Sequence, residues 1–563
     1  MVKRIDRRDF ATAETSSMKQ EFPSITRRAH ALRTSATWML SAGLLVSVVP
    51  AGAADTLDTA CRTTEECQAQ VARLQGTVNG DATSALAKQQ DVFYWFGRIN
   101  MASTVVHVEQ GIIAAPLAGR IARGVSHSID QATQPGGKRP TDVLQVEKII
   151  TDQVGPEGTL IHTGRSRQDI HSTLNAAQLR LELLDFADAL LAVRKRLIAL
   201  AGKNVDTYVP AYTNGVQAMP ISYAHYLLAF ADSFERDATR IREAYARLNL
   251  SPMGTAVLAN SSWSVNRERL AALLGFDGLI VNSLDAGQIS TYDVPLEAVS
   301  IASSTAIRVG ALMQDVHVQY HQTRPWLLLG ASNTYTSSAM PQKANPGVIQ
   351  NTRAKATDVV ASAQTVTLRA HNVTPGMIDY KNTASASGAK TFVLGVEMLQ
   401  QLDGVLAALQ VDPARALEEL ESDWITSMEL AETLQRTHGV PFRVGHHFAS
   451  EIVLYARSQN LRPKEFPYEH SQRIYAEAGK KYQLQQAVLP LDEASFRATL
   501  SPANMVRTRT GTGGPQPAEV RRMLAASNVA LARDQAWVQA RRSRLVEAEA
   551  SLNRSFLELA RQP

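Results

Sequence analysis

Residues 179–200, LRLELLDFADALLAVRKRLIAL, place Leu179, Leu183, Phe186, Leu190, Val193, Leu197 and Leu200 at alternating spacings of four and three. Apolar side chains that recur every 3.5 residues form one stripe along an α-helix, and such a stripe is buried against other helices, as in a coiled coil. A second helix is predicted to open at Pro220, where proline suits the first turn, and to run through Ala224, Leu228 and Ala231 to about Leu248. A third is predicted from about Leu296, with Ser300, Ser303, Ser304, Ala306, Gly310 and Ala311 small enough to let neighbouring backbones approach closely. Three helices of about 25 residues each span close to 40 Å at about 1.5 Å per residue, and rods of that length bury their stripes in a bundle, often one shared between subunits. Strand-like alternation is confined to short runs such as 278–281, so the chain from about Asp91 onward reads as mostly α. Loops are expected at 133–140, 324–346 and 508–517; the glycine-rich Arg509 to Pro515 stretch follows no strand and reads as a linker into a C-terminal helix.

Composition narrows the function. With 563 residues, 45% apolar and 20% charged, the chain can bury a large core in more than one domain, which excludes a disordered, collagenous or disulfide-dense protein. The net charge of +5 is concentrated in residues 1–53, which hold eight basic and four acidic side chains, so the rest lacks the bulk charge that recruits nucleic acid. Arg27, Arg28 and Arg33 precede an apolar run from Trp38 to Val49, and Pro50-Ala51-Gly52-Ala53-Ala54 follows with the small residues a signal peptidase reads. Residues 1–53 are therefore expected to be an export signal. The run falls short of the roughly 20 residues that cross a bilayer, and no later segment reads as a span. A periplasmic or secreted protein follows, with no membrane partner once the signal is cleaved. Cys61 and Cys67, in the extension 54–90, fit one local disulfide or two unpaired thiols. No metal-ligand spacing occurs; CxxC and HExxH are absent, and the adjacent His446 and His447 would diverge on a helix.

Two segments carry chemistry. Thr336-Ser337-Ser338-Ala339-Met340-Pro341-Gln342-Lys343-Ala344-Asn345-Pro346 is a polar loop ending in a lysine and an asparagine two apart. It closely resembles the GSSxMPxKxNP signature of the fumarase, aspartase and argininosuccinate lyase superfamily. His162-Thr163-Gly164-Arg165-Ser166-Arg167-Gln168-Asp169 is similar to the HTGRSRND motif of the argininosuccinate lyase branch, and two arginines on a turn into a helix suit bidentate binding of carboxylates. Ala211-Tyr212-Thr213-Asn214, Ser251 to Thr255, Asn282 to Ala286, Tyr380 and Val440 to Arg443 fall in the family's order, so the resemblance covers nearly all of residues 91–563.

The resemblance implies a three-domain, mostly α subunit: an N-terminal helical domain at 91–170, a central long-helix bundle at 171–410 and a C-terminal helical domain at 411–563. It further implies a homotetramer whose active sites draw on several subunits, a small dicarboxylate substrate, and elimination without metal or organic cofactor. By the same resemblance Ser337 is the base, while Lys343 and Asn345 stabilise the substrate carboxylate that takes up negative charge, helped by Ser338 and the loop backbone. Ser103, Arg165, Ser166, Arg167, Gln168, Thr213, Asn214 and Tyr380 are implied to line the substrate site. Asp142 matches an acidic position of the family without a defined role.

The chain departs from the family pattern at named places. Asn214 stands where a histidine usually supports proton transfer to the leaving group, which leaves His171 as a substitute donor or a less demanding leaving group. Gln168 replaces an asparagine, and Gln350 replaces a glutamate that would pair with the missing histidine. Ser385 and Gly388 occupy positions where the family has Gln and Lys, with Lys390 beyond them. The expected function is a carbon-nitrogen lyase that cleaves argininosuccinate or a related N-succinyl compound to fumarate and an amine. The alternatives are another fumarate-releasing lyase, such as an aspartase, fumarase or aminocarboxylate lyase, or an inactive binding or structural homologue.

Overall fold

The computed structural model describes residues 90–563 apart from positions 135 and 486, so the export signal and Cys61 and Cys67 lie outside the described residues. The heptad stripe is the spine of the fold. It lies on the 37-residue helix Arg167–Lys203, and Leu179 to Leu197 along it are buried. Leu184, Leu191 and Ile198 are buried as well, so this helix hides more than one face. It packs between Tyr223–Leu248 and Ile378–Ala408, while Ser290–Val318 and Gly347–Ala370 close the bundle. Tight contacts are made where side chains are smallest: a Cβ on Gly395 would fall 2.8 Å from the Phe186 ring, and one on Gly310 would meet the Ala356 Cβ at 4.0 Å.

Each long helix has a readable start. Ser166 caps Arg167–Lys203 by accepting from the Gln168 N–H, and Asp169 answers by accepting from the Ser166 N–H at 2.8 Å, a reciprocal capping box. Asp91 caps Val92–Glu109 by accepting from the Tyr94 N–H, without a reciprocal bond. The second bundle helix begins later than the sequence suggests. Pro220 lies in a strand, and Ser222 caps a helix that starts at Tyr223. That strand, Val216–Ser222, pairs with Tyr208–Thr213 in an antiparallel hairpin, closed by Asn214 and Gly215 at φ 53° and 75°. Two residues with positive φ make the turn whose twist suits a hairpin, and Asn-Gly is its strongest sequence signal. The short 278–281 run contributes a two-residue parallel strand, Gly278–Leu279, beside Leu250–Ser251.

The continuous helical stretch Asp285–His321 is, contrary to expectation, long and apolar enough by length and composition to cross a membrane, with an 18-residue window of mean hydropathy 1.3. Half of that window is buried against neighbouring helices, which accounts for its apolarity as a core element. Pro295 lies inside it, six residues after a π-helical segment at Asp285–Ile289.

Three large apolar cores follow among the described residues. One is built mainly from residues 93–177 with Leu270 to Phe276, the largest fills the bundle, and the third joins Trp424 to Leu500. The last helix, Pro517–Ala560, does not stay with the third core although sequence places it in the 411–563 domain. Its 44 residues run back along the chain, burying Val520, Leu531 and Val538 in the bundle core and Leu552 and Phe556 in the first core. Buried charge pins it there, since Asp534 accepts from Arg194 and Arg242.

Candidate active site

The motif at 162–169 folds into the turn that launches the spine helix, and its two arginines part company. Arg165 points inward and is only 6% exposed, donating to Asn100 Oδ1 at 2.7 Å and Ser103 Oγ at 3.0 Å. Burial pulls its guanidinium down to about 10. Arg167 stays on the surface and pairs with Asp142 at 3.2 Å, which gives that acidic position a role in holding the arginine. Ser166 is occupied as the cap, and its hydroxyl also donates to the Ala256 carbonyl. Of the residues assigned to substrate in this motif, Arg167 and Gln168 are the ones presented outward; Ser103, Arg165 and Ser166 build the wall behind them.

Asp169, unassigned by motif, is the centre of that wall. It is fully buried and accepts from the N–H groups of Ser166, Gly254 and Ala256. Burial pushes its carboxyl up to about 7 against those three donors and Arg165. The capping-box spacing Ser166 to Asp169 was the signal for it.

Lys381 is the second residue sequence reading missed. Its ammonium is buried, 2.6 Å from Gln168 Oε1 and bonded to the Gly287 carbonyl. Burial lowers it to about 8, opposed by the Asp169 charge. The only signal was adjacency to Tyr380. Tyr380 stacks on Tyr292 at 4.3 Å between centroids, and its buried hydroxyl has no partner among the described residues. Burial, then Tyr292 and Asp293, push that phenol up to about 12. His171 lies one turn beyond Arg167, edge-on to Phe96, and burial holds its imidazole below the usual range, with Arg167 and Lys381 adding to the shift.

The signature loop is a hairpin between the paired strands Tyr335–Thr336 and Ala344–Asn345. Inside it the Ser337 N–H donates to the Lys343 carbonyl, and Ser337 Oγ accepts from the amides of Ala339 and Met340 at 3.3 and 3.2 Å. Two donors aimed at one hydroxyl oxygen favour its alkoxide. Asn345 Nδ2 donates to the Tyr335 carbonyl, while Lys343 and Ser338 are exposed. Gln350 is exposed one turn into the following helix.

Within one chain these groups stand apart. Helix Gly347–Ala370 is about 36 Å long at 1.5 Å per residue. The Tyr335 ring lies against Gly347 at its start, whereas Tyr292, in the stack with Tyr380, bonds the Thr374 carbonyl just past its end. Thr213 and Asn214 are exposed at the 208–222 hairpin tip, beyond the C-terminal end of a spine helix about 55 Å long. Arg167 and Gln168 begin that helix. No hydrogen bond or ion pair among the described residues joins the three groups, and none of their His, Cys, Asp or Glu residues cluster as metal ligands.

A model for the lyase family matches residues 132–361, and one for the argininosuccinate lyase C-terminal region matches 424–507. Argininosuccinate lyase 1 of Shouchella clausii is 30% identical over 82% of this chain and 93% of the relative. Argininosuccinate lyase of Methanoculleus marisnigri is 30% identical over 87% and 97%. Among solved structures, an EDDS lyase variant with bound fumarate superposes with TM-score 0.73 and 25% identity over 87% of this chain and 95% of that one. Class II fumarase from Schistosoma mansoni shares the fold at TM-score 0.58.

Proposed function

Because the chain belongs to the argininosuccinate lyase family, within the fumarase and aspartase superfamily, we propose that it eliminates an amine from argininosuccinate or a related N-succinyl compound and releases fumarate. Ser337 as alkoxide takes the Cβ proton. The electron pair left behind spreads onto the adjacent carboxylate, where the Lys343 cation and the Asn345 amide stabilise the dianion. Return of that pair forms the double bond, the C–N pair leaves with nitrogen, and nitrogen takes up a proton. The observation that carries this reading is the convergence of the Ala339 and Met340 amides on Ser337 Oγ, on the hairpin that also holds Lys343 and Asn345. Arg167, Gln168, Thr213 and Tyr380 complete the site, with Ser338 acting through the loop.

The site is assembled between chains, in a homotetramer. The helices that run from the Arg167 group toward the signature hairpin and toward the 208–222 hairpin, about 36 and 55 Å long, support this, since one chain cannot bring both ends onto a small substrate. The enzyme acts outside the cytoplasm, a reading supported by the arginine, apolar and small-residue succession from Arg27 to Ala54. A guanidine leaving group has a conjugate acid above about 12 and needs a proton donor. With Asn214 in the histidine's place, an N-succinyl amine with a less basic nitrogen is the second reading.

The test is the ultraviolet absorbance of fumarate on mixing the purified mature protein with argininosuccinate and a panel of N-succinyl amines. A steady rise is expected with at least one of them, with the amine recovered as co-product. Ser337→Ala should lower that rate at least about 100-fold without changing the assembly. No fumarate from any member of the panel, or full activity in Ser337→Ala, would refute the scheme.

A further inference from the structure

We infer that Lys381 is a positioning residue for the carboxylate site, holding the Gln168 side chain by its carbonyl so that the amide NH2 faces the substrate. The inference rests on the proposed fumarate-releasing reaction.

A glutamine amide offers a carbonyl at one corner and an NH2 at the other, and free rotation presents either. A dicarboxylate site needs the NH2. Lysine resolves the choice because an ammonium donates and cannot accept, so the atom 2.6 Å from its Nζ is the Gln168 oxygen. The Nε2 group is then the free end of a half-exposed side chain and donates to no acceptor among the described residues. Both guanidinium and amide thus present donors from the first turn of one helix, where the positive end of the helix dipole already favours an anion.

Lys381 is itself fixed. It is buried, and its second bond goes to the carbonyl of Gly287 in the π-helical turn Asp285–Ile289. Three segments distant in sequence therefore meet at one ammonium. No carboxylate among the described residues forms an ion pair with it; Asp169, whose charge acts on it, is committed to three backbone N–H groups. Burying an ammonium against two neutral carbonyls is an expensive way to stabilise a helix contact and an effective way to add positive potential behind a carboxylate-binding amide. The link also gives the Gln168 departure a reason. Asparagine is shorter by one methylene, about 1.5 Å, and would leave the 2.6 Å bond unmade.

The experiment is a double-mutant cycle on the full oligomer with Lys381→Met, Gln168→Asn and the pair, measuring fumarate binding by calorimetry and kcat and KM with the substrate identified above. Each single variant should weaken fumarate binding and raise KM about 10- to 100-fold, with kcat reduced much less. The double variant should be no worse than either single, because both break the same link. Gln168→Asn lies on a half-exposed first turn and keeps the fold, so it decides the matter should Lys381→Met fail to assemble. Single variants that bind fumarate like the wild type, or losses that add in the double, would overturn the assignment while leaving the lyase reading intact. A wild type that neither binds nor releases fumarate would overturn both.

Discussion

Ser103 Oγ lies 3.0 Å from Arg165 Nη1, so two residues that the family resemblance assigns to substrate are bonded to each other inside the first core. Ser103→Ala would leave a buried guanidinium with one acceptor fewer, costing about 1–3 kcal/mol and lowering Tm by several degrees, with KM nearly unchanged. Arg167→Ala should behave in the opposite way. Its exposed pair with Asp142 is worth less than about 1 kcal/mol, but KM should rise at least about tenfold as a carboxylate loses its charged donor. Thermal melts and steady-state kinetics on both variants separate the roles; a raised KM with an undisturbed Tm in Ser103→Ala would return that serine to the substrate.

The depressed Lys381 predicts opposite pH effects on binding and on stability. Burial lowers it to about 8, and the groups around it are the Gln168 amide, Asp169 and His171 of the spine helix and the Gly287 carbonyl. Substrate affinity depends on the ammonium, so KM should climb as pH rises through about 8, by at most tenfold per unit. Stability runs the other way. An unfolded lysine keeps its proton to about 10.4, so between 8 and that value the unfolded chain binds more protons and stability increases with pH. Lys381→Met should flatten the KM profile above pH 8, and an unchanged slope in that variant would assign the titration to another group.

The long-helix class was legible because the Leu179 to Leu200 stripe depends only on spacing, and the loops at either end carry their own glycines and prolines. The 208–222 hairpin was not, because its alternation is weak and Pro220 reads equally as a helix start; the decisive signal, Asn214-Gly215, begins inside the Ala211 to Asn214 motif, whose side chains draw the eye before its backbone does. At the site, Ser337, Lys343 and Asn345 stood out because they fall within nine residues on one hairpin. Lys381 did not, since its partners Gln168 and Gly287 are 213 and 94 residues away and only packing brings them together. Arg165 and Arg167 look equivalent in the motif, and nothing short of the helix cap geometry tells which one turns inward.

Asn214 holds φ 53° at the hairpin turn, a conformation that histidine tolerates better than most residues. Asn214→His should therefore fold normally and restore the imidazole. Together with Gln350→Glu it should raise kcat toward argininosuccinate by up to about 100-fold, with less effect from the histidine alone, which would lack a carboxylate partner. Turnover numbers with argininosuccinate and with a substrate of less basic amine check this. An unchanged rate for both would mean that another group, with His171 beside Lys381 as the first to test, already donates the proton.

The separation between Ser337 and Arg167 makes the composite site testable without a structure of the assembly. The signature hairpin sits at the start of a helix about 36 Å long, and the Arg167 motif joins Lys381 beyond its other end. A productive site then takes the serine from one chain and the arginine from another. Ser337→Ala and Arg167→Ala homo-oligomers should each be impaired, yet dissociating and reassembling them together leaves about one site in four with both native residues by chance assortment. Activity should recover toward that fraction, rising with the time allowed for exchange and absent when intact oligomers are merely mixed. If serine and arginine served a site from the same chain, every site in the mixture would still carry one substitution, and no activity beyond the mean of the parents would return.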